Sequence, residues 1–389
     1  MTRLNLRRGH DRRVRGGHPW VFSNEIASLD GPAEPGMAVE IVSADGQRLG
    51  TGYYNPCSLI AARILTRHAE SIDTPDFFLR SLQKALEYRQ RACGGLDTLR
   101  LVHGEGDGLP GLVVDRYSDV LSLQLLTAGM EQRRELVLRA LQELLAPRAI
   151  VARNDSAARE LEGLPRQVEL LYGEAPGPVM ATINGLNFAV DVMAGQKTGL
   201  FLDQRENCRR LEGLVRGGEV LDLFCYAGAW SLHAARYGAS CVTGVDVSAG
   251  AVAQARANAQ MNGLDGNCRF VAADVFDFLR EHRGRRYNTV ILDPPAFIKS
   301  RKHLEEGKKG YLTVNRRALE MVAPGGVLVT CSCSHHLDRT TFLALIAQAA
   351  QQARRSVRLL EMRGQAADHP VLPVCPETDY LKCAVLFVE

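Results

Sequence analysis

Short apolar runs that stop at an acidic residue punctuate the second half of the chain. The first lies in residues 219–228, Glu-Val-Leu-Asp-Leu-Phe-Cys-Tyr-Ala-Gly, where Val220, Leu221 and Leu223 read as a buried parallel strand. A glycine-containing turn follows, and residues 230–237 have helical composition. The same strand, loop and helix pattern recurs at residues 241–246, 268–274, 287–293 and 326–332, and four of the five runs contain or end on an aspartate. Repetition of this unit predicts an α/β fold with a Rossmann-like parallel sheet, whose ligand sits at the carboxyl ends of its strands.

The first half reads differently. Residues 1–70 alternate in short β-type runs, at 38–42 and 59–65, between turn signals such as Gly31-Pro32, Asp45-Gly46 and Asn55-Pro56, and so form a β-rich domain. Residues 71–175 form a small central α/β domain: a helix over 74–93, strands at 99–103, 112–115 and 120–126, and an amphipathic helix over 131–145. The Gly-rich loop at 104–111 reads as a tight turn. A linker at 173–178 and a hairpin at 179–192 open the third domain, residues 176–389. Trp20 and Phe22 read as core residues, with an RNA surface that mixes aromatics with cations as the alternative.

Charge modifies this picture only locally. The net charge of the 389 residues is +3, yet the first twenty hold Arg3, Arg7, Arg8, Arg12, Arg13 and Arg15 against one acid, Asp11. Such a stretch is either a solvated basic arm or a nucleic-acid contact. With no apolar signal region and no apolar run near the roughly 18 residues of a membrane span, the expected location is cytoplasmic. Ten cysteines scattered through a chain of this length read mostly as buried thiols.

The strand ends carry the chemistry. Asp222, Phe224, Tyr226 and Gly228 form a turn with one essential glycine and an acid before it, unlike the Gly-x-Gly-x-x-Gly of dinucleotide binders. That turn suits S-adenosylmethionine, whose sulfonium and amino group favour carboxylates and which has no pyrophosphate. Asp246 is placed for ribose hydroxyls, and Asp274 for the adenine amino group or for a plain helix cap. The fourth run ends Asp293-Pro294-Pro295, where two prolines stop the ladder and leave the Asp293 carboxylate and Pro294 carbonyl as a rigid acceptor pair for an amino-bearing base. The fifth ends Thr-Cys-Ser-Cys-Ser-His-His at 330–336. Two cysteines and two histidines there invite zinc, but the Cys-x-x-Cys spacing and a second ligand cluster are both missing, so no metal is expected. A cysteine at this edge instead suits methylation of pyrimidine carbon 5, by adding to carbon 6 and making carbon 5 nucleophilic. Cys331 reads as a packed thiol.

At these residues the chain resembles the RlmI-like bacterial ribosomal RNA large-subunit methyltransferases, which make 5-methylcytosine in 23S ribosomal RNA. The resemblance covers nearly the whole chain and rests on residues 195–205, 222–228, 292–295, 330–334, 368–370 and 376–378. It implies an N-terminal PUA domain, a central α/β domain and a methyltransferase domain whose last strand is antiparallel. It further implies Cys333 as nucleophile, Asp293 as the base-contacting acid, and Asp222, Asp246 and Asp274 at the cofactor. The segment holding Lys197, Thr198 and Phe201 would lie over the cofactor, with Lys197 and Arg205 on either an RNA phosphate or the methionine carboxylate. Arg7, Arg8, Arg12, Arg13 and Arg15 become expected RNA contacts. Pro295 stands where other RNA 5-methylcytosine enzymes carry a second cysteine, so another base must take the carbon 5 proton. The implied partner is 23S ribosomal RNA or a large-subunit assembly intermediate, with a second copy of the chain as a further candidate. Two other readings remain open: methylation of a base nitrogen, and an inactive RNA-binding assembly factor.

Overall fold

The computed structural model describes residues 1–32, 34–195 and 198–389, and they fall into two compact units. The first comprises Met1–Ala181, Val190–Leu202 and Ala367–Thr378. Its N-terminal part is a six-stranded sheet of β1 (Thr2–Leu6), β2 (Trp20–Val21), β3 (Ile26–Asp30), β4 (Ala38–Val42), β5 (Arg48–Tyr54) and β6 (Ala62–Thr66), in the order β2-β6-β5-β4-β1-β3. The expected basic arm is no free arm. β1 pairs with both β3 and β4, because Thr2, Leu4 and Leu6 alternate into the interior while Arg3 and Asn5 point away. Val14, on the one-turn helix α1 (Arg12–Arg15), joins Leu4, Leu6, Val39 and Ile41 in this core.

The second part of this unit holds helix α2 (Pro75–Cys93), strands β7 (Thr98–His103), β8 (Leu112–Tyr117) and β9 (Val120–Leu125), helices α3 (Ala128–Gln132) and α4 (Arg134–Leu145), and strands β10 (Ala149–Asn154) and β11 (Gln167–Gly173). Helix α2 begins where expected, because Thr74 caps the Phe77 amide at 3.3 Å and Pro75 needs no donor there. The single helix expected over 131–145 is instead two. Arg133 breaks it: its buried guanidinium bonds the Gly36 and Gly129 carbonyls, each at 2.8 Å, and pairs with Asp73 at 2.7 Å. The hairpin of β12 (Val179–Ile183) and β13 (Leu186–Val190) turns at Asn184-Gly185, both left-handed at φ 50° and 78°.

The second unit comprises Thr182–Ala189, Asp203–Ala366 and Asp379–Glu389. After the short helix α5 (Arg205–Arg209) it alternates β14 (Glu219–Leu223), α6 (Ala229–Arg236), β15 (Cys241–Asp246), α7 (Ala249–Met261), β16 (Cys268–Ala272), α8 (Val275–Glu281), β17 (Tyr287–Leu292), α9 (Leu304–Met321), β18 (Val322–Ser332) and α10 (Arg339–Gln352), and ends in β19 (Val357–Arg363) and β20 (Lys382–Val388). The sheet order is β16-β15-β14-β17-β18-β20-β19, parallel from β16 to β18, with β20 antiparallel to both its neighbours. Both faces are covered. Val220, Ile291 and Val329 pack with Trp230 and Leu211, while Leu221, Leu292 and Leu328 pack with Val314, Phe342 and Phe278. Strand order reverses at β14, so the crevice outside β14 and β17 is the topological switch point at which such sheets bind ligands.

Candidate active site

The turn after β14 is built under strain. Phe224 and Tyr226 hold φ at 66° and 45°, a left-handed conformation that side chains rarely adopt, and Gly228 follows at 83°. Backbone bonds fix it: the amides of Phe224 and Cys225 share the Val245 carbonyl at 2.9 and 3.0 Å, and Tyr226 N–H reaches the Asp246 carboxylate at 2.9 Å. At Gly228 a Cβ would sit 3.0 Å from Leu232 and 3.1 Å from Ala255, so glycine is favoured by its φ, and its neighbours would have to shift slightly for any other residue.

Three acids surround this turn in different states. Asp222 is fully buried; one oxygen accepts from Ser231 at 2.6 Å, and the other finds no hydrogen-bond partner among the described residues. Burial first, then the neighbouring Asp293 and Asp246 charges, push its carboxyl up to about 7, against the Ser231 bond that opposes the shift. Asp246 is half-buried at the end of β15, accepting from Tyr226 N and from Ser248 N, each at 2.9 Å. Asp274 is exposed and caps α8 through one oxygen, at 2.8 Å to Phe276 N and 3.1 Å to Asp277 N. The cap therefore occupies one oxygen of Asp274 only.

Beyond β17, Asp293 accepts from Trp230 Nε1 and Gln204 Nε2 through one oxygen, both at 3.0 Å. Gln204 is oriented in turn by Asn207 at 2.7 Å. Cys333, the first residue after β18, is half-buried and points its thiol at the Pro294 carbonyl, 4.0 Å away. Its neighbour Ser334 is tied on three sides: to Tyr311 Oη at 2.9 Å, Ile298 N at 3.2 Å and Lys382 Nζ at 2.7 Å. The nucleophile candidate and the Asp-Pro-Pro motif thus meet at one rigid edge. Cys331 is fully buried opposite Cys383, and burial holds its thiol well above the ordinary value, as suits a packed thiol.

Residues 4–67 match the PUA-like domain family, and residues 99–376 match the S-adenosylmethionine-dependent methyltransferase family. Over 387 residues, 98% of both chains, this chain is 41% identical to the ribosomal RNA large subunit methyltransferase I of Shewanella denitrificans. It is also 41% identical, over 390 residues and again 98% of both chains, to the Aeromonas hydrophila protein of that name. The chain belongs to the ribosomal RNA large subunit methyltransferase I family. In fold it is similar to a putative methyltransferase crystallised with SAH, with a TM-score of 0.86, full coverage of both chains and 23% identity.

The enzymes of this family use S-adenosylmethionine, and the turn fits that cofactor. Asp222 keeps an unsatisfied oxygen, Asp246 ends β15, and Asp274 follows the end of β16 with one oxygen outside its cap. The other expected site residues differ in their exposure and partners. Arg205 is buried, its side chain 4% exposed, and it pairs with Glu206 at 3.6 Å. Thr198 is buried with its hydroxyl on the Asp115 carboxylate, Phe201 is exposed, and Lys197 lies outside the described residues. Of the N-terminal arginines, Arg13 is engaged with Glu25 and the Phe22 ring, Arg15 with Asp11 and Asp45, and Arg7 with the Ile26 carbonyl. The side chains of Arg8 and Arg12 are exposed and make no hydrogen bond or ion pair among the described residues.

Sequence reasoning missed Gln204 and Trp230 as the partners of Asp293, because nothing in their spacing links them to it. It also passed over Lys299, Arg301, Lys302 and Lys309, an exposed basic run directly after Asp-Pro-Pro whose charge alone could have drawn attention. Among the described residues one group has ligand atoms close enough for a metal, His18, Cys375 and Glu377. Its hydrogen bonds argue against that use. Trp20 N–H donates to His18 Nδ1 at 3.1 Å, which puts the proton on Nε2, where it donates to Glu377 at 3.2 Å and leaves no lone pair. Burial also lifts the Cys375 thiol to about 12.

Proposed function

We propose that the chain methylates carbon 5 of a cytosine in 23S ribosomal RNA through a covalent adduct between Cys333 and carbon 6. The observation that carries this reading is the Cys333 thiol set against the Pro294 carbonyl, one residue from Asp293. When bound, S-adenosylmethionine supplies an electrophilic methyl group. The residues of the chain do the rest. Asp222, Asp246 and Asp274, with the turn from Phe224 through Tyr226 to Gly228, hold the cofactor by its amino group, ribose and adenine. Asp293, steadied by Trp230 and Gln204, and the Pro294 carbonyl accept from the cytosine amino group and stabilise a protonated ring nitrogen 3. The Cys333 thiolate adds to carbon 6, so that carbon 5 becomes enamine-like and takes the methyl group as its bond to the sulfonium breaks, with S-adenosylhomocysteine as the leaving thioether. Loss of the carbon 5 proton to a base then restores the double bond and expels the thiolate.

The relatives' names point to the large ribosomal subunit, and a PUA-like domain suits RNA. The substrate is free 23S ribosomal RNA or a large-subunit assembly intermediate, met in the cytoplasm. Sedimentation with either substrate also tests for a homodimer. No described helix is long and apolar enough to cross a membrane.

The test is to incubate the protein and Cys333→Ala with S-adenosylmethionine and unmodified 23S ribosomal RNA, digest to nucleosides and identify the product by mass spectrometry. We expect 5-methylcytidine with the parent alone. A different methylated nucleoside that persists in Cys333→Ala would replace this reading with methylation of a base nitrogen. Absence of any product together with absence of cofactor binding would leave an RNA-binding factor.

A further inference from the structure

Lys382 is a buried cation that is ion-paired with no carboxylate among the described residues. It is 2% exposed at the start of β20 and paired in register with Ser332. Two of its three N–H donors are spent on carbonyl oxygens, of Ser334 and of Tyr380, both at 2.7 Å. These anchors bracket Cys333: one neighbour, Ser332, lies opposite Lys382 in the ladder, and the other, Ser334, holds its ammonium. A buried ammonium served only by carbonyl dipoles is costly unless an anion lies within reach.

From this geometry we infer that Lys382 is the positioning residue that holds the Cys333 thiol in its anionic form. This deepens the proposed covalent mechanism and rests on it. The step is a proton loss: the Cys333 S–H bond breaks, its proton passes to solvent from the half-buried thiol, and the electron pair stays on sulfur beside the ammonium. Lys382 is too deeply buried to touch a base and therefore acts through Cys333. Burial depresses the Lys382 amine to about 8, and the Cys333 charge is the first of the groups that oppose this, so each group favours the charged form of the other.

The other charged or titratable groups around the pair do not replace Lys382. Tyr311, from α9, bonds Ser334, and its phenol is held above the ordinary value by burial. Asp293, after β17, is an acid and disfavours a thiolate. Asp379 and Arg339 pair with each other at 3.1 Å, and Asp338 caps α10. His335 lies against the Tyr380 ring, with centroids 5.5 Å apart, and Lys382 is, among the described residues, the buried cation held by the neighbour of Cys333.

The experiment follows alkylation of Cys333 by iodoacetamide against pH in the full-length protein, read on the Cys333 peptide by mass spectrometry, with exposed Cys57 as internal reference. In the parent the Cys333 midpoint should lie below the ordinary thiol value of about 8.5. In Lys382→Met it should rise by about one pH unit or more, slowing alkylation at neutral pH about tenfold. The same variant should lose kcat while its KM for RNA is unchanged. A parent midpoint at or above the ordinary value overturns the inference, whatever the variants do. So does an unchanged midpoint in Lys382→Met, or in Lys382→Gln, which keeps a donor for the two carbonyls should the methionine variant fail to fold. Because alkylation needs neither RNA nor methyl transfer, a wrong product assignment and a wrong role for Lys382 give separate signatures.

Discussion

At the scale of single residues, the site concentrates cost where the chemistry is proposed. Phe224 and Tyr226 each hold a backbone conformation worth roughly 1–3 kcal/mol of strain. The sequence showed the turn through its glycine, but it could not show that two aromatic residues are left-handed there. That conformation is imposed by Val245 and Asp246 on the neighbouring strand, which local propensity does not register. Asp222 offers a direct measurement. An acid whose folded pKa is raised binds its proton more tightly in the folded state, so its contribution to stability falls as pH rises from the unfolded value near 4 to the folded value of about 7. Asp222→Asn cannot lose a proton and should escape that fall. Relative to the parent, it should gain stability between pH 4 and pH 8 by up to about 4 kcal/mol, read by urea unfolding of the cofactor-free proteins. Buried His233, depressed to about 4, costs stability as pH falls below its unfolded value, but it is common to both proteins and cancels. Parallel pH dependences in the two proteins would mean that Asp222 is not the buried acid described.

At the scale of elements, the parallel strands were legible because each is an apolar run bounded by turn signals, and β15 begins and ends where its pattern does. Helix α9 was not. Its sequence carries Gly307 and Gly310, residues of low helix propensity, yet a Cβ at Gly307 would lie 2.3 Å from Ile298 and one at Gly310 would lie 3.1 Å from Phe297. Close packing, which propensity cannot see, selected those glycines. It brings α9 against the segment after Asp-Pro-Pro, whose Ile298 amide bonds Ser334 at 3.2 Å, next to Cys333. The basic run that follows is therefore fixed to the proposed reaction edge, which argues that Lys299, Arg301, Lys302 and Lys309 neutralise phosphates of the RNA whose base is being methylated. Replacing all four by glutamine should weaken RNA binding and lower the slope of log affinity against log salt by about three. Cofactor affinity should not move. A salt slope equal to the parent's would make this run a solvated face.

At the scale of the whole molecule, the N-terminal arginines show how far charge alone can be read. All five expected RNA contacts looked alike in sequence, as members of one basic stretch. Folding separates them, because β1 and α1 are tied into the PUA-like sheet rather than left as an arm. Arg13 lies 4.5 Å over the Phe22 ring and is bonded to Glu25, while Arg15 is held by Asp11 and Asp45, so their charges are largely spent inside the domain. The Arg8 and Arg12 side chains are exposed and make no ion pair among the described residues, which makes them the two to test for RNA contact. Replacing these two by alanine should raise KM for 23S ribosomal RNA several-fold and reduce the salt slope of binding by about two, with thermal stability and the Kd for S-adenosylmethionine unchanged. Arg13→Ala should do the reverse, lowering the melting temperature of the PUA-like domain while the salt slope stays near the parent value. The contrast rests on geometry alone, since the residues are chemically identical. If Arg13→Ala instead weakened RNA binding as the double variant is expected to, without loss of stability, the basic stretch would act as one surface and the ion pairs would open on contact with RNA.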